Sequence, residues 1–124
     1  MTSSIPEFLV LLRSPEKEKR AFAAEKLGGL GSAGLEAVRP QLKDADWHLR
    51  YRAAEVIGFS HEAAGVPLLL PLLSDEKDHV RYMAVKSLGF CGTEELVPLI
   101  TPMLEDENPF VRRITGNVLS GWNV

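Results

Sequence analysis

The sequence predicts an all-α fold: an α-solenoid of four helix pairs, about eight helices, coiled as a right-handed superhelix. Three observations predict it. Several residue columns recur every 30 or 31 positions, each period holds two helical patterns, and those helices are too short to persist in water alone. A chain of 124 residues suits one domain. Its repeats are expected at roughly 1–31, 32–61, 62–92 and 93–124.

The repeat is plainest in four aligned segments. Lys19-Arg20-Ala21-Phe22-Ala23-Ala24-Glu25-Lys26-Leu27-Gly28 matches Leu49-Arg50-Tyr51-Arg52-Ala53-Ala54-Glu55-Val56-Ile57-Gly58. Val80-Arg81-Tyr82-Met83-Ala84-Val85-Lys86-Ser87-Leu88-Gly89 and Val111-Arg112-Arg113-Ile114-Thr115-Gly116-Asn117-Val118-Leu119-Ser120 follow. The arginine column is Arg20, Arg50, Arg81 and Arg112. Six residues before each stand Ser14, Asp44, Asp75 and Asp106. Leu12, Leu42, Leu73 and Leu104 keep the same register, as do Pro40, Pro71 and Pro102.

The first helix of each pair is expected near 5–13, 35–43, 66–74 and 97–105. The prolines Pro71 and Pro102 inside these stretches kink or start them. The second helix is clearest over 47–58, where Leu49, Ala53, Val56 and Ile57 share one face of a 100° wheel and His48, Tyr51 and Glu55 the other. Asp46, and Asn108 before Pro109, read as N-caps. Gly28, Gly58 and Gly89 are expected to end their helices in the left-handed C′ position. Each large side chain that the helices bury contributes roughly 1.5–3 kcal/mol. The small Ala53, Ala54 and Ala84 let neighbouring pairs approach, so stacking is the economical solution.

Composition narrows the function classes. Apolar residues make up 45% and charged residues 25%, an ordinary globular balance, and the net charge is −3. That sign opposes a phosphate-neutralising surface, so no nucleic-acid partner is expected. The longest apolar run, Val66 to Leu73, carries two prolines and is far shorter than a membrane span, so no membrane partner is expected either. The N-terminus lacks the basic and apolar regions of a secretion signal. A lone cysteine, Cys91, cannot close an intrachain disulfide, so the expected location is cytoplasmic.

Aspartate, Val-Arg six residues later, then Ala-Ala and Leu-Gly: this pattern resembles HEAT repeats over nearly the whole chain. The short period is similar to the HEAT-like repeats of phycobilin lyases. The resemblance implies that the first helices lie on the convex side and the second helices line the concave side. It also implies a structural ladder in which Asp44, Asp75 and Asp106 pair with arginines of the column Arg20, Arg50, Arg81 and Arg112, within or between repeats. Ser14 departs from this pattern in the first copy. Ser120 and Gly116 depart in the fourth, as terminal repeats often do.

Candidate chemistry is sparse, and neither a catalytic residue, a metal site nor a cofactor is expected. The arginine column reads as ladder rather than ligand stripe, since each arginine has a partner at fixed offset. His48 and His79 share a column on neighbouring helices, about 10 Å apart by helix spacing. His61-Glu62 invites comparison with the HEAT-like deoxyhypusine hydroxylases, whose iron-binding His-Glu pairs directly follow the Val-Arg element. Here those positions hold Tyr51-Arg52 and Tyr82-Met83, and His61-Glu62 falls after Gly58 between repeats, where a lone pair supplies too few ligands. Cys91 is expected in an inter-repeat turn with nothing to lower its pKa. Gly28-Gly29-Leu30-Gly31 lacks the lysine and strand of a phosphate loop.

The outward face of the second helices carries the candidate partner site: His48, Tyr51, Glu55, His79, Tyr82, Lys86, Phe110 and Arg113. Aromatic residues and arginine in a row suit a protein interface. Phe59 and Phe90, just past the glycines, suit packing between repeats. Ile5, Phe8, Leu9, Val10, Leu11 and Leu12 at one end, and Phe110, Ile114, Val118 and Trp122 at the other, invite self-association into a homo-oligomer. The function expected is therefore a protein-interaction or scaffold module that binds a protein on its concave face. The alternative, drawn from the resemblance, is a lyase or chaperone-like factor for a tetrapyrrole-carrying protein.

Overall fold

The computed structural model describes residues 4–123; residues 1–3 and 124, the outer edges of the expected first and last repeats, lie outside the described residues. Among the described residues there are eight α-helices and no strand. They form the four helix pairs of an α-solenoid. The first helices are α1 (Ile5–Leu11), α3 (Ser32–Val38), α5 (Val66–Leu69) and α7 (Val97–Ile100). The second helices are α2 (Lys17–Gly29), α4 (Trp47–Ser60), α6 (Asp78–Cys91) and α8 (Pro109–Gly121).

The recurring prolines explain why α3, α5 and α7 are short. A proline offers no N–H and its ring clashes with the carbonyl four residues back, so the α-helical ladder cannot run on. At Pro40, Pro71 and Pro102 the chain tightens into 3-10 turns over Arg39–Lys43, Leu70–Ser74 and Thr101–Glu105. The leucine column at these turns is not uniformly buried. Leu12 and Leu42 are buried, but Leu73 is only half-buried and Leu104 is 37% exposed. The interior column is instead Phe8, Val38, Leu69 and Ile100.

The second helices begin as their sequence dictates. Asp46 caps α4, its carboxylate accepting from the His48 N–H, and Asn108 caps α8 ahead of Pro109. The apolar face of α4 is fully committed, with Leu49, Ala53, Val56 and Ile57 all buried. Ala53, Val56 and Ile57, with Ala54, Ala84, Leu88 and their neighbours, form one continuous core from Phe8 to Leu119.

The helix ends differ from the sequence expectation. Gly28, Gly58 and Gly89 do not stop their helices; α2, α4 and α6 run on to Gly29, Ser60 and Cys91. The left-handed residue after α4 is His61, at φ 54°. What these glycines supply is contact. A Cβ on Gly28 would lie 2.2 Å from the Cβ of Phe59, and one on Gly58 would lie 2.4 Å from the Ser87 hydroxyl oxygen. The absent side chain lets the next second helix press against the backbone. Consecutive second helices therefore pack closely, whereas consecutive first helices barely meet. Cys91 is likewise not in a turn: it is the last, buried residue of α6, its thiol donating to the Ile57 carbonyl at 3.2 Å. Burial pushes that thiol's pKa up.

Polar bonds across the repeats complete the stack. Ser87, also buried, donates to the Ala54 carbonyl at 2.7 Å. Arg50 forks onto Asp75 of the next repeat, Nε to Oδ2 at 2.8 Å and Nη2 to Oδ1 at 3.0 Å. Its Nη1 donates to the Asp44 and Ala45 carbonyls of its own loop at 2.7 and 3.1 Å. Arg81 repeats this, with Asp106 at 2.8 and 3.2 Å and the Asp75 carbonyl at 2.8 Å. The aspartates also shape their loops, accepting from the N–H two residues on at Asp46, Lys77 and Asn108. Ser14 keeps that turn-forming role toward Glu16 without the charge.

The bridge is not made everywhere along the column. Arg20 donates to the Ser14 carbonyl at 2.9 Å, and among the described residues no ion pair joins it to Asp44. Arg20 and Asp44 are one residue closer in sequence than the two bridged pairs. Arg112 donates only to the Asp106 carbonyl and is exposed.

Burial alone would raise the carboxyl pKa values of Asp75 and Asp106. The forked hydrogen bonds from Arg50 and Arg81, the loop N–H groups and the guanidinium charges outweigh it and hold both below the usual range. A carboxyl whose folded pKa is depressed stabilises the fold fully above its unfolded value and loses that contribution as pH falls through the folded one.

Three outcomes follow from this packing. Gly28→Ala should cost about 1–3 kcal/mol by overpacking, although alanine is the better helix former. Gly116→Ala, mid-helix in α8 with nothing near its Cβ, should instead gain up to about 1 kcal/mol. Urea unfolding separates the two, and equal effects would remove the close-approach explanation. Arg81→Ala, which strands a buried carboxylate, should cost about 3 kcal/mol, and Arg112→Ala less than about 1. Stability should also fall as pH drops below about 4, and more steeply in the native chain than in Asp106→Asn.

Candidate functional site

The face of α2, α4, α6 and α8 that turns away from the core carries two adjoining grooves. The first, of about 270 Å³, is lined by Lys17, Arg20, Ala21, Trp47, His48, Tyr51, Arg52, Glu55 and His79. The second, of about 230 Å³, is lined by Tyr51, Asp78, His79, Tyr82, Asn108 and Phe110. Tyr51 and His79 form the wall between them, so the two make one furrow across the second helices.

Trp47 organises the middle of this furrow. It is the first residue of α4 and half-buried, so its indole lies along the rim. The His48 ring stacks on it with centroids 3.8 Å apart and planes 24° apart, while the His79 ring lies 4.8 Å away. Tyr51 meets it edge-on at 6.4 Å. The Lys77 ammonium sits 4.6 Å from the indole centroid, a cation–π contact. Each histidine is also held by an acid, His48 Nδ1 by Asp46 and His79 Nδ1 by Asp78, both at 2.8 Å. The hydrogen bond from His48 lowers the Asp46 pKa, and those from His79 and Asn108 lower that of Asp78.

Burial raises the pKa of the Tyr51 phenol, with Glu55 and Tyr82 adding to the effect. Burial also raises that of Glu55, against the pull of Lys86, Arg20 and Arg52. Arg52 is shifted down, first by burial and then by the nearby Arg20 charge. The furrow is therefore partly desolvated at its centre and crowded with cations at its α2 end.

The eight residues expected on this face are not all brought together. His48, Tyr51, Glu55 and His79 share the first groove, and Tyr51, His79, Tyr82 and Phe110 the second. Lys86 lines neither groove; it shares a small pocket with Glu55, Phe59 and Phe90 and a more open depression with Phe90, Ile114, Val118 and Trp122. Arg113 sits over the Phe110 ring at 5.5 Å. Phe59 and Phe90 keep partly exposed rings, 36% and 46%, although the Cβ of Phe59 packs on Gly28. Phe90 meets the His61 ring edge-on at 5.2 Å.

Two contributors escaped the sequence reading, and one left a signal. Arg52 occupies a column otherwise filled by Phe22, Met83 and Ile114, an apolar position where a cation stands out. It is anchored there by donating to the Leu12 carbonyl at 2.8 Å. Trp47 shares a column with Lys17, Asp78 and Pro109, which has no common chemistry to mark it.

Among the described residues no three His, Cys, Asp or Glu side chains converge as a metal site would require. No described helix is long and apolar enough to cross a membrane.

Comparison with known proteins bears on the fold. No curated protein sequence matches the chain. Among solved structures, human deoxyhypusine hydroxylase in complex with glycerol is similar at a TM-score of 0.74 and 21% identity, over 96% of this chain and 43% of that one. An engineered structural-genomics protein is similar at 0.67 and 18%, over 98% and 63%. The complex of CpcE and CpcF of phycocyanin lyase from Nostoc sp. PCC7120 gives 0.56 and 20%, over 98% and 66%. The chain thus spans less than two thirds of each of these structures, and at such identities the likeness is one of fold. The sequence pattern of HEAT repeats matches residues 5–64 and 35–120, nearly the whole length. The chain belongs to the HEAT-repeat family.

Proposed function

We propose that this helical-repeat scaffold is a protein-interaction module that takes a segment of its partner along the furrow of its second helices. The observation that carries this reading is the aromatic line of Trp47, Tyr51, Tyr82 and Phe110, crossing three successive repeats on one face. Aromatic side chains offer large contact areas with little conformational entropy to lose, and they dominate interface energetics. Phe110 is 60% exposed and Tyr51 and Tyr82 are half-buried, so a partner would cover apolar area that now faces water. A furrow built on four stacked rigid helices is also preorganised, which lowers the ordering cost of binding.

The second reading, a factor acting on a tetrapyrrole-carrying protein, draws support from the two imidazoles flanking Trp47. It predicts a shift in the bilin or haem absorption spectrum on mixing, which the interaction reading does not.

The test is capture of partners from the native cell by wild type and by the double variant Tyr51→Ala/Tyr82→Ala. Both tyrosines are half-buried and Tyr51 packs against the core, so the variant's melting is measured alongside and capture is compared at a temperature where both proteins are folded. A partner retained by wild type and lost by the variant supports the furrow. A partner held equally by both refutes it.

A further inference from the structure

Resting on the furrow proposed above, we infer that its α2 end is a carboxylate-binding subsite, so that the bound segment is a peptide carrying an acidic residue beside an aromatic or aliphatic one.

The inference comes from a break in the arginine column. Arg50 and Arg81 spend their forks on Asp75 and Asp106, and their side chains are close to fully buried. Arg20, the equivalent residue one repeat earlier, bonds only to the Ser14 carbonyl and lines the furrow. Arg52 stands beside it, and it too has only a carbonyl, that of Leu12. Lys17 adds a third cation from the first turn of α2. Among the described residues none of the three makes an ion pair with an acid. Three cations therefore face one carboxylate, Glu55, in this groove. Burial first, and then the nearby Arg20 charge, lower the pKa of Arg52.

Such crowding costs free energy unless an anion relieves it. Guanidinium donors with unused N–H groups match a carboxylate in geometry, and the half-desolvated setting strengthens the bond. The other end of the furrow has the opposite character. Asp78, the one charged residue in its lining, already accepts from His79 and from the Asn108 amide, and the Arg113 guanidinium is engaged over the Phe110 ring, leaving Tyr82 and the rest of Phe110 to receive an apolar side chain. One chain direction places acid and ring at the proper ends.

A polyanion fits less well. Glu55 and Asp78 line the two grooves and would repel a run of phosphates.

The experiment selects binders for the full chain from a library of random displayed octapeptides. The strongest is then titrated beside its acid-to-amide analogue. The expected result is enrichment of Asp or Glu with an aromatic or aliphatic neighbour, and an affinity loss of about tenfold or more for the amide. Lys17→Glu, an exposed change that breaks no bond within the fold, should weaken the acidic peptide by a similar factor and leave the amide unaffected. Tyr51→Ala/Tyr82→Ala should weaken both peptides. Binders without acidic enrichment, or an amide bound as well as the acid, would overturn the subsite while tyrosine dependence kept the furrow. Acid-dependent binding indifferent to the tyrosines would overturn the furrow itself. Displacement of the peptide by a single-stranded oligonucleotide of equal charge would assign the cations to nucleic acid and overturn the peptide.

Discussion

The structure depends on how closely one second helix can approach the next. Helices of 13 or 14 residues gain little from their own hydrogen bonds, so each must bury a face against a neighbour. Here the neighbour comes near enough that a glycine proton, a serine hydroxyl or an alanine methyl is all that fits. Ala53, Ala54 and Ala84 are wholly buried for the same reason. The first helices pack far less intimately. The furrow crosses the closely packed layer of second helices.

The Arg–Asp bridges do a different job. Desolvating an ion pair offsets much of its Coulombic gain, so two forked bridges add little net stability beside the buried apolar surface. What they add is selectivity. A guanidinium that must reach its own loop carbonyl and the next repeat's carboxylate together tolerates one register only. Where the spacing shortens, between Arg20 and Asp44, the bridge is lost and the arginine becomes available at the surface. Ladder and furrow are in this sense alternative fates of the same residue type.

Much of this was legible in the sequence, because a repeat samples the same physics four times. Columns that kept their chemistry, such as Asp75 with Arg50 and the apolar face of α4, could be read directly. The helix ends could not. Glycine at the end of an apolar run suggests a stop, and only the position of Phe59 and Ser87 across the gap shows it to be a contact. The furrow was half visible. Tyr51 and Tyr82 declared themselves by alternating against the core face, but Trp47 lies in a mixed column, and Lys86 follows the pattern while facing a different depression. Side chains on a twisted stack drift out of line with a planar wheel, so a column predicts a face better than it predicts a groove.

A family fold defines the shape of the surface and leaves its use to the side chains on it. In this fold the backbone of one second helix touches the side chains of the next. Nuclear Overhauser effects between the Gly28 α-protons and the Phe59 β-protons, and between those of Gly58 and Ser87, measure that contact directly. Strong cross-peaks at both sites are the predicted result. Their absence from a folded, fully assigned protein would mean that the helices stand apart, and the furrow that crosses them would go too.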